Sequence, residues 1–90
     1  MLTKSMAVEL GPKNIRVNSV NPGIVITDMT RFFYEQGRGV PVKERVLSRT
    51  PLGRICETDE VVNTILFLLS DLAPMIHGEQ VFIDGGFSNC

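Results

Sequence analysis

The sequence predicts an α/β fold built on parallel strands, and three observations lead to this prediction. The short apolar segment Ile15–Val20 is typical of a strand, and Gln80–Ile83 is a second segment of the same kind. Two helical patterns, Pro41–Arg49 and Thr58–Leu72, lie between them. A strand, a helical connection and another strand predict a right-handed crossover that makes the two strands parallel neighbours.

The first residues are predicted to form a helix. Leu2, Met6 and Leu10 recur at helical spacing, and Gly11 and Pro12 then supply stop signals. No Ser, Thr, Asp or Asn precedes the first apolar position as a cap, so we expect the chain to open inside a helix.

The helix Thr58–Leu72 has the clearest pattern in the chain. Thr58 is its predicted N-cap. The carboxylates of Asp59 and Glu60 lie in the first turn, where they interact favourably with the positive end of the helix dipole. Its apolar face is wide enough to pack on a sheet and comprises Val61, Val62, Ile65, Leu66, Leu68, Leu69 and Leu72. In the shorter helix Pro41–Arg49, the side chains expected to face the interior are Val42, Val46 and Leu47.

Composition excludes several classes of function. With 9 basic and 10 acidic residues, the chain has no basic stripe for a nucleic acid. Its longest apolar run, Ile65–Leu69, is far too short to cross a membrane. Cys56, Cys90 and His77 have neither zinc-ligand nor disulfide-framework spacing, so we expect inert thiols and no metal site. No targeting segment is visible, and we expect a reducing, cytoplasmic location.

The predicted two-stranded sheet is too small to stand alone. Parallel sheets are normally buried on both faces, and an unpaired strand edge needs a neighbour or a cover. The predicted helices supply too little cover for both faces. We therefore expect residues 1–90 to be the C-terminal part of one larger, doubly wound α/β domain.

The segment after the first strand is the predicted ligand site. In doubly wound sheets, ligands bind beyond the carboxyl ends of the strands, where Asn21 to Met29 falls. Pro22 fixes φ, Gly23 has no side chain to block a flat ligand, and Thr27 offers a hydroxyl at a potential helix N-terminus. An ordinary strand-to-helix turn is the other interpretation of this segment.

An aromatic cluster follows this turn. Phe32, Phe33 and Tyr34 lie in the segment Thr30–Gly39, whose glycine-rich end is more typical of a mobile flap than of a core element. The aromatic cluster is equally consistent with a wall of the substrate site and with part of the hydrophobic core.

Three stretches together resemble the C-terminal part of the short-chain dehydrogenases/reductases. They are ELGPKNIRVNSVNPGIVITDM, TPLGRICETDEVVNTILFLLSD and GEQVFIDGG. Within that family, MLTKSMAVELGP, VVNTILFLLSD and GGFSNC are most similar to the L-xylulose and carbonyl reductases. Bacterial-type 3-oxoacyl reductases and other polyol dehydrogenases share most of these stretches.

The resemblance implies a seven-stranded, Rossmann-like sheet, with Ile15–Val20 as its sixth strand and Gln80–Ile83 as its seventh. It implies NAD(H) or NADP(H) as cofactor and a small carbonyl or alcohol as substrate. The cofactor residues it implies are Asn21, Pro22, Gly23, Val25 and Thr27. The substrate residues are Met29, Phe32, Phe33 and Tyr34, and the residues of a dimer or tetramer interface are Val81, Phe82, Ile83 and Phe87.

The family's proton-transfer residues are not found in this sequence. The reaction uses a tyrosine with a lysine four residues later, and a serine. Tyr34 is the only tyrosine and is followed at that spacing by Arg38, so no catalytic residue is assigned. We expect the Tyr-xxx-Lys pair upstream of Met1 and an inactive isolated chain. The alternatives are a non-catalytic module that assembles through its exposed sheet edge, and the product of an incomplete gene model.

Overall fold

The structure is a computed structural model that describes residues 1–89. Its elements are α1 (Leu2–Leu10), a 3-10 turn (Gly11–Lys13), β1 (Ser19–Pro22), α2 (Arg31–Glu35), α3 (Val40–Arg49), α4 (Thr58–Leu69), β2 (Gln80–Ile83) and a second 3-10 turn (Phe87–Asn89). Strands β1 and β2 pair in parallel, which confirms the α/β class. No helix in residues 1–89 combines the length and apolarity that crossing a membrane requires.

Strand β1 starts later and ends later than predicted. Ladder pairing begins at Ser19, opposite Gln80, and runs to Pro22, opposite Ile83. The predicted strand Ile15–Val20 is therefore wrong at both ends. The reason is that β2 begins only at Gln80, so the residues before Ser19 lie opposite a loop and not opposite a strand.

His77 connects that loop to α1. Its Nδ1 accepts a hydrogen bond from the amide of Val17 at 3.2 Å, and its Nε2 lies 2.6 Å from the carbonyl oxygen of Ala7. Both bonds form when the neutral ring carries its proton on Nε2. Gly78 follows at φ +76°, where an added Cβ would lie 3.2 Å from the Cβ of Ala7. His77 therefore joins α1 to the chain preceding β1.

Helix α4 ends at Leu69, three residues before its predicted end. The guanidinium of Arg16 donates to the carbonyl oxygens of Leu68 at 2.6 Å and Ser70 at 3.2 Å. These side-chain donors take the place of the backbone amides that a further helical turn would supply. Leu72, predicted on the apolar face, lies beyond the helix and is 79% exposed. Sequence periodicity could not detect an arginine that terminates the helix from a distant position.

The segment predicted as a flap contains a short helix, α2, which the sequence analysis missed. The ring of Phe33 lies against Gly39, where an added Cβ would approach the ring carbons to 2.5 Å. This contact folds α2 onto the start of α3. Helix α3 itself agrees with prediction, with Val46 and Leu47 half-buried, but Val42 is exposed and not turned inward.

The described chain buries very little apolar surface. Only Ala7, Leu68 and Ala73 are buried among the hydrophobic residues. The radius of gyration is 15.6 Å, against about 12 Å for a compact domain of this length. The accessible surface is 6679 Å², against about 5,200 Å² for a folded monomer of this mass. The apolar faces of α1 and α4 are consequently left largely uncovered.

We predict that Arg16→Gln destabilises the folded protein by about 2 kcal/mol, because charge-assisted bonds to the helix-end carbonyls are lost. The measurement is the free energy of unfolding in urea. Lys13→Gln, an exposed cation on the neighbouring 3-10 turn, is the matched control and should change stability by less than about 0.5 kcal/mol. Equal effects of the two variants would show that the contacts of Arg16 do not stabilise α4.

Candidate functional site

The loop that follows β1 lies beside the end of β2. Pairing at Pro22 and Ile83 brings the carboxyl ends of both strands to the same edge of the sheet. The ladder continues one residue further, because the amide of Gly23 donates to the carbonyl oxygen of Ile83 at 3.1 Å. Asn21 is half-buried within β1, whereas Pro22 and Gly23 are exposed. The predicted ligand site is thus an open surface at the expected edge.

Gly23 lies in close contact with Asp84. A Cβ at this position would lie 3.2 Å from the Cβ and 3.4 Å from the Cα of Asp84, so a larger residue would fit only if its neighbour shifted by a few tenths of an ångström. The sequence analysis explained this glycine by access for a flat ligand. The structure adds that Gly23 also lets the loop rest directly on the residue after β2.

The end of the loop is fixed by two threonines. The hydroxyl oxygen of Thr30 accepts from the amide of Thr27 at 2.9 Å and donates to the carbonyl oxygen of Val25 at 3.3 Å. The two hydroxyls are 3.2 Å apart. Val25 also forms an isolated parallel bridge with Cys56. Thr27 is therefore not the start of a helix, since α2 begins only at Arg31. Sequence reasoning missed Thr30, whose two hydrogen bonds become visible only in the structure.

The predicted substrate residues divide into two groups. Met29 is 95% and Phe32 is 70% exposed, so both present apolar surface next to the loop. Phe33 packs on Gly39, and its ring meets that of Tyr34 edge-on, with centroids 4.9 Å apart. The cluster is thus partly internal packing and partly an exposed wall.

The turn after β2 is held by a carboxylate. The Asp84 carboxylate accepts from the amides of Gly86 at 3.1 Å and Ser88 at 3.0 Å. Desolvation raises the pKa of Asp84, but the bonds to Ser88 and Gly86 outweigh it and lower that pKa below its usual value. Gly85 has φ +62°, and its Cβ would lie 2.9 Å from Cγ2 of Thr50. The Asp-Gly-Gly sequence thus holds the turn after β2 in place.

An ion pair fixes the start of α4. The two terminal guanidinium nitrogens of Arg54 donate to the two carboxylate oxygens of Glu60, each at 2.7 Å. Glu60 also accepts from the amide of Glu57 at 2.9 Å, which makes Glu57 the N-cap of a capping box. The predicted cap, Thr58, is wrong because it is already helical. The hydrogen bond from Arg54 lowers the pKa of Glu60 to about 2.

Cys56 is a half-buried free thiol beneath the loop. It lines a cavity of about 210 Å³ together with Ile24, Val46 and Phe87. Burial raises the pKa of this thiol, which favours the protonated, unreactive form. This agrees with the expectation of an inert thiol, whereas Cys90 lies outside the described residues.

The predicted interface residues do not share one face. Phe82 is 54% exposed, whereas Val81 and Ile83 are half-buried on the opposite side of β2. Phe87 is half-buried, and the guanidinium carbon of Arg49 lies 5.9 Å from the centroid of its ring. Of the four, Phe82 presents the largest exposed surface.

Comparison with known proteins identifies the family. The family described as enoyl-(acyl carrier protein) reductase matches residues 1–88. L-xylulose reductase of Caenorhabditis elegans is 52% identical over 89 residues, which cover 99% of this chain and 34% of that protein. Carbonyl reductase [NADPH] 2 of Sus scrofa is 46% identical over 87 residues, covering 97% of this chain and 34% of that protein.

A solved structure agrees with these relatives. A 4-hydroxyisoleucine dehydrogenase mutant complexed with NADH and succinate superposes with a TM-score of 0.85 at 35% identity, covering 99% of this chain and 35% of that one. The chain thus belongs to the short-chain dehydrogenase/reductase family. It spans about a third of the length of the relatives that it matches.

We predict that the ion pair between Arg54 and Glu60 makes stability sensitive to acid. Because folding lowers the pKa of Glu60 from 4.5 to about 2, its contribution is present above pH 4.5 and is lost as the pH falls through 2. Urea unfolding from pH 7 to pH 2 should show this loss, and Glu60→Gln should remove it. Glu9→Gln, an exposed acid on α1 without a salt bridge in residues 1–89, should leave the pH profile unchanged.

Proposed function

We propose that this chain is the C-terminal part of an NAD(P)(H)-dependent oxidoreductase that reduces small carbonyl compounds. In this proposal, the loop after β1 contacts the nicotinamide end of the cofactor, and Met29 and Phe32 contact the substrate. The observation that carries the proposal is the exposed Pro22–Gly23 surface, which the end of β2 holds at the carboxyl edge of the sheet.

The residues of this loop fit a nicotinamide ring and its carboxamide. Pro22 and Gly23 offer a flat surface without a protruding polar group, and Thr27 offers an exposed hydroxyl whose partner is the hydroxyl of Thr30. When bound, the cofactor supplies the hydride. The name of the pig relative contains NADPH and the structural neighbour holds NADH, which supports a cofactor of this class without choosing between the two.

The loop is proposed to bind the cofactor and to orient its nicotinamide ring. The backbone of Val25 and the hydroxyl of Thr27 hydrogen-bond the carboxamide, and Asn21 supports the start of the loop from within β1. The turn between Thr27 and Thr30 fixes the end of the loop before ligand arrives, which lowers the entropic cost of binding.

The proposed substrate wall is apolar. Met29 and Phe32 exclude water from the reacting carbonyl, while Phe33 and Tyr34 support them from the α2 side. The relatives are named for L-xylulose and for carbonyl reduction, so we propose a small ketose or dicarbonyl compound as substrate.

Proton transfer has to be supplied by residues outside this sequence. Tyr34 has no lysine at the required spacing, so the chain alone is proposed to be inactive.

In the complete protein, we propose that β2 and the tail after it contact further copies of the protein. The residues proposed for this contact are Val81, Phe82, Ile83 and Phe87. We also propose a cytoplasmic location, because the cysteine spacing is not that of a disulfide framework.

The decisive experiment is a hybrid enzyme in which residues 1–90 replace the matching 89 residues of the C. elegans L-xylulose reductase. We predict that the hybrid reduces L-xylulose or diacetyl with NADPH or NADH and that the 90-residue chain alone shows no turnover. Turnover by the isolated chain would refute the assignment of an inactive part. A folded hybrid that binds neither cofactor would refute the cofactor assignment.

A further prediction concerns the substrate wall in that hybrid. Phe32→Ala should raise KM for the carbonyl substrate about tenfold, because an exposed aromatic contact is removed, and should leave KM for the cofactor unchanged. Met75→Ala is the control, since Met75 is 90% exposed in the loop before β2, at the other end of the sheet. A parallel change of both KM values in Phe32→Ala would contradict a role restricted to the substrate.

A further inference from the structure

Asp84 supports the start of the loop after β1. Gly23 rests on this residue, and an added Cβ at Gly23 would lie 3.2 Å from the Cβ of Asp84. The amide of Gly23 also bonds Ile83, and Val25 forms the bridge to Cys56. Through its contact with Gly23, Asp84 limits how closely the start of the loop can approach the turn after β2.

The support is itself rigid. The two carboxylate oxygens of Asp84 hold the amides of Gly86 and Ser88. Gly85 lies against Thr50, and its carbonyl oxygen accepts from the amide of Leu52 at 3.1 Å. A shift of Asp84 would break these bonds or drive the glycine backbone into the turn after α3.

We propose that Asp84 is a positioning residue that sets the affinity of the loop for its cofactor without touching it. The inference rests on the proposed function, because it assigns Asp84 a role in the cofactor site described there. The carboxylate fixes the turn after β2, the turn fixes Gly23, and Gly23 fixes the surface offered to the nicotinamide. Met29 lies within the threonine turn and Phe32 follows it in α2, so the substrate wall is held by that turn and not by Asp84.

The test uses the hybrid enzyme and two substitutions of graded severity. Asp84→Asn keeps the size of the side chain but replaces one acceptor by a donor, and Asp84→Ala removes both acceptors. We expect KM and Kd for the cofactor to rise about threefold in the first and about tenfold or more in the second. KM for the carbonyl substrate should remain within about twofold.

A structural role alone would lower the amount of active enzyme, and thus apparent kcat, without this split between the two KM values. Asp71→Asn, an exposed acid in the turn after α4, is the matched control and should change neither. If the unsubstituted hybrid fails to bind cofactor, the proposed function itself fails. If it binds and both Asp84 variants keep the original cofactor KM, the positioning role of Asp84 is refuted.

Discussion

The contact between Gly23 and the residues that end β2 is the constraint on which the site depends. Parallel pairing places Pro22 opposite Ile83, and the Gly23 amide extends the ladder by one bond. Asp84 then lies against the position where any other residue would carry a Cβ. Two chain segments that are 61 residues apart in the sequence thereby become one surface, formed by the loop and the turn after β2.

The last helix before β2, α4, is fixed at both ends by polar side chains. Arg54 and Glu57 hold the first turn of α4 through Glu60, and Arg16 holds its last carbonyl groups. Residues 70–79 join α4 to β2, and within them His77 accepts a hydrogen bond from the amide of Val17. Polar side chains thus hold α4, this loop and the chain before β1 together where few apolar residues are buried.

The sequence predicts the class of fold and the order of its elements because periodicity is a local property. The helices starting at Leu2 and Thr58 and the strand Gln80–Ile83 were predicted within a few residues. The ends of helices and strands that were predicted wrongly are those that depend on residues distant in the sequence. The start of β1 depends on where β2 begins, and the end of α4 depends on Arg16. Such partners cannot be recognised by spacing.

In the site, too, some features follow from the local sequence and others depend on distant residues. The exposed turn at Pro22–Gly23 follows from a strand that ends in Asn-Pro-Gly, and the structure places it at the predicted edge. The roles of Thr30, Asp84 and Cys56 around the loop become visible only in three dimensions. The resemblance to a family supplied the proposed ligand, which neither the periodicity nor the geometry alone could identify.

We propose that the site is stable only when the uncovered apolar faces of α1 and α4 are covered by the remainder of a larger domain. Amide hydrogen exchange at Gly23 and Gly78, whose amides bond Ile83 and Val17, tests this most directly when the isolated chain is compared with the hybrid enzyme. We expect slow exchange of both amides in the hybrid and markedly faster exchange in the isolated chain. Equally slow exchange in both would show that ninety residues suffice to build the surface, and would refute this proposal.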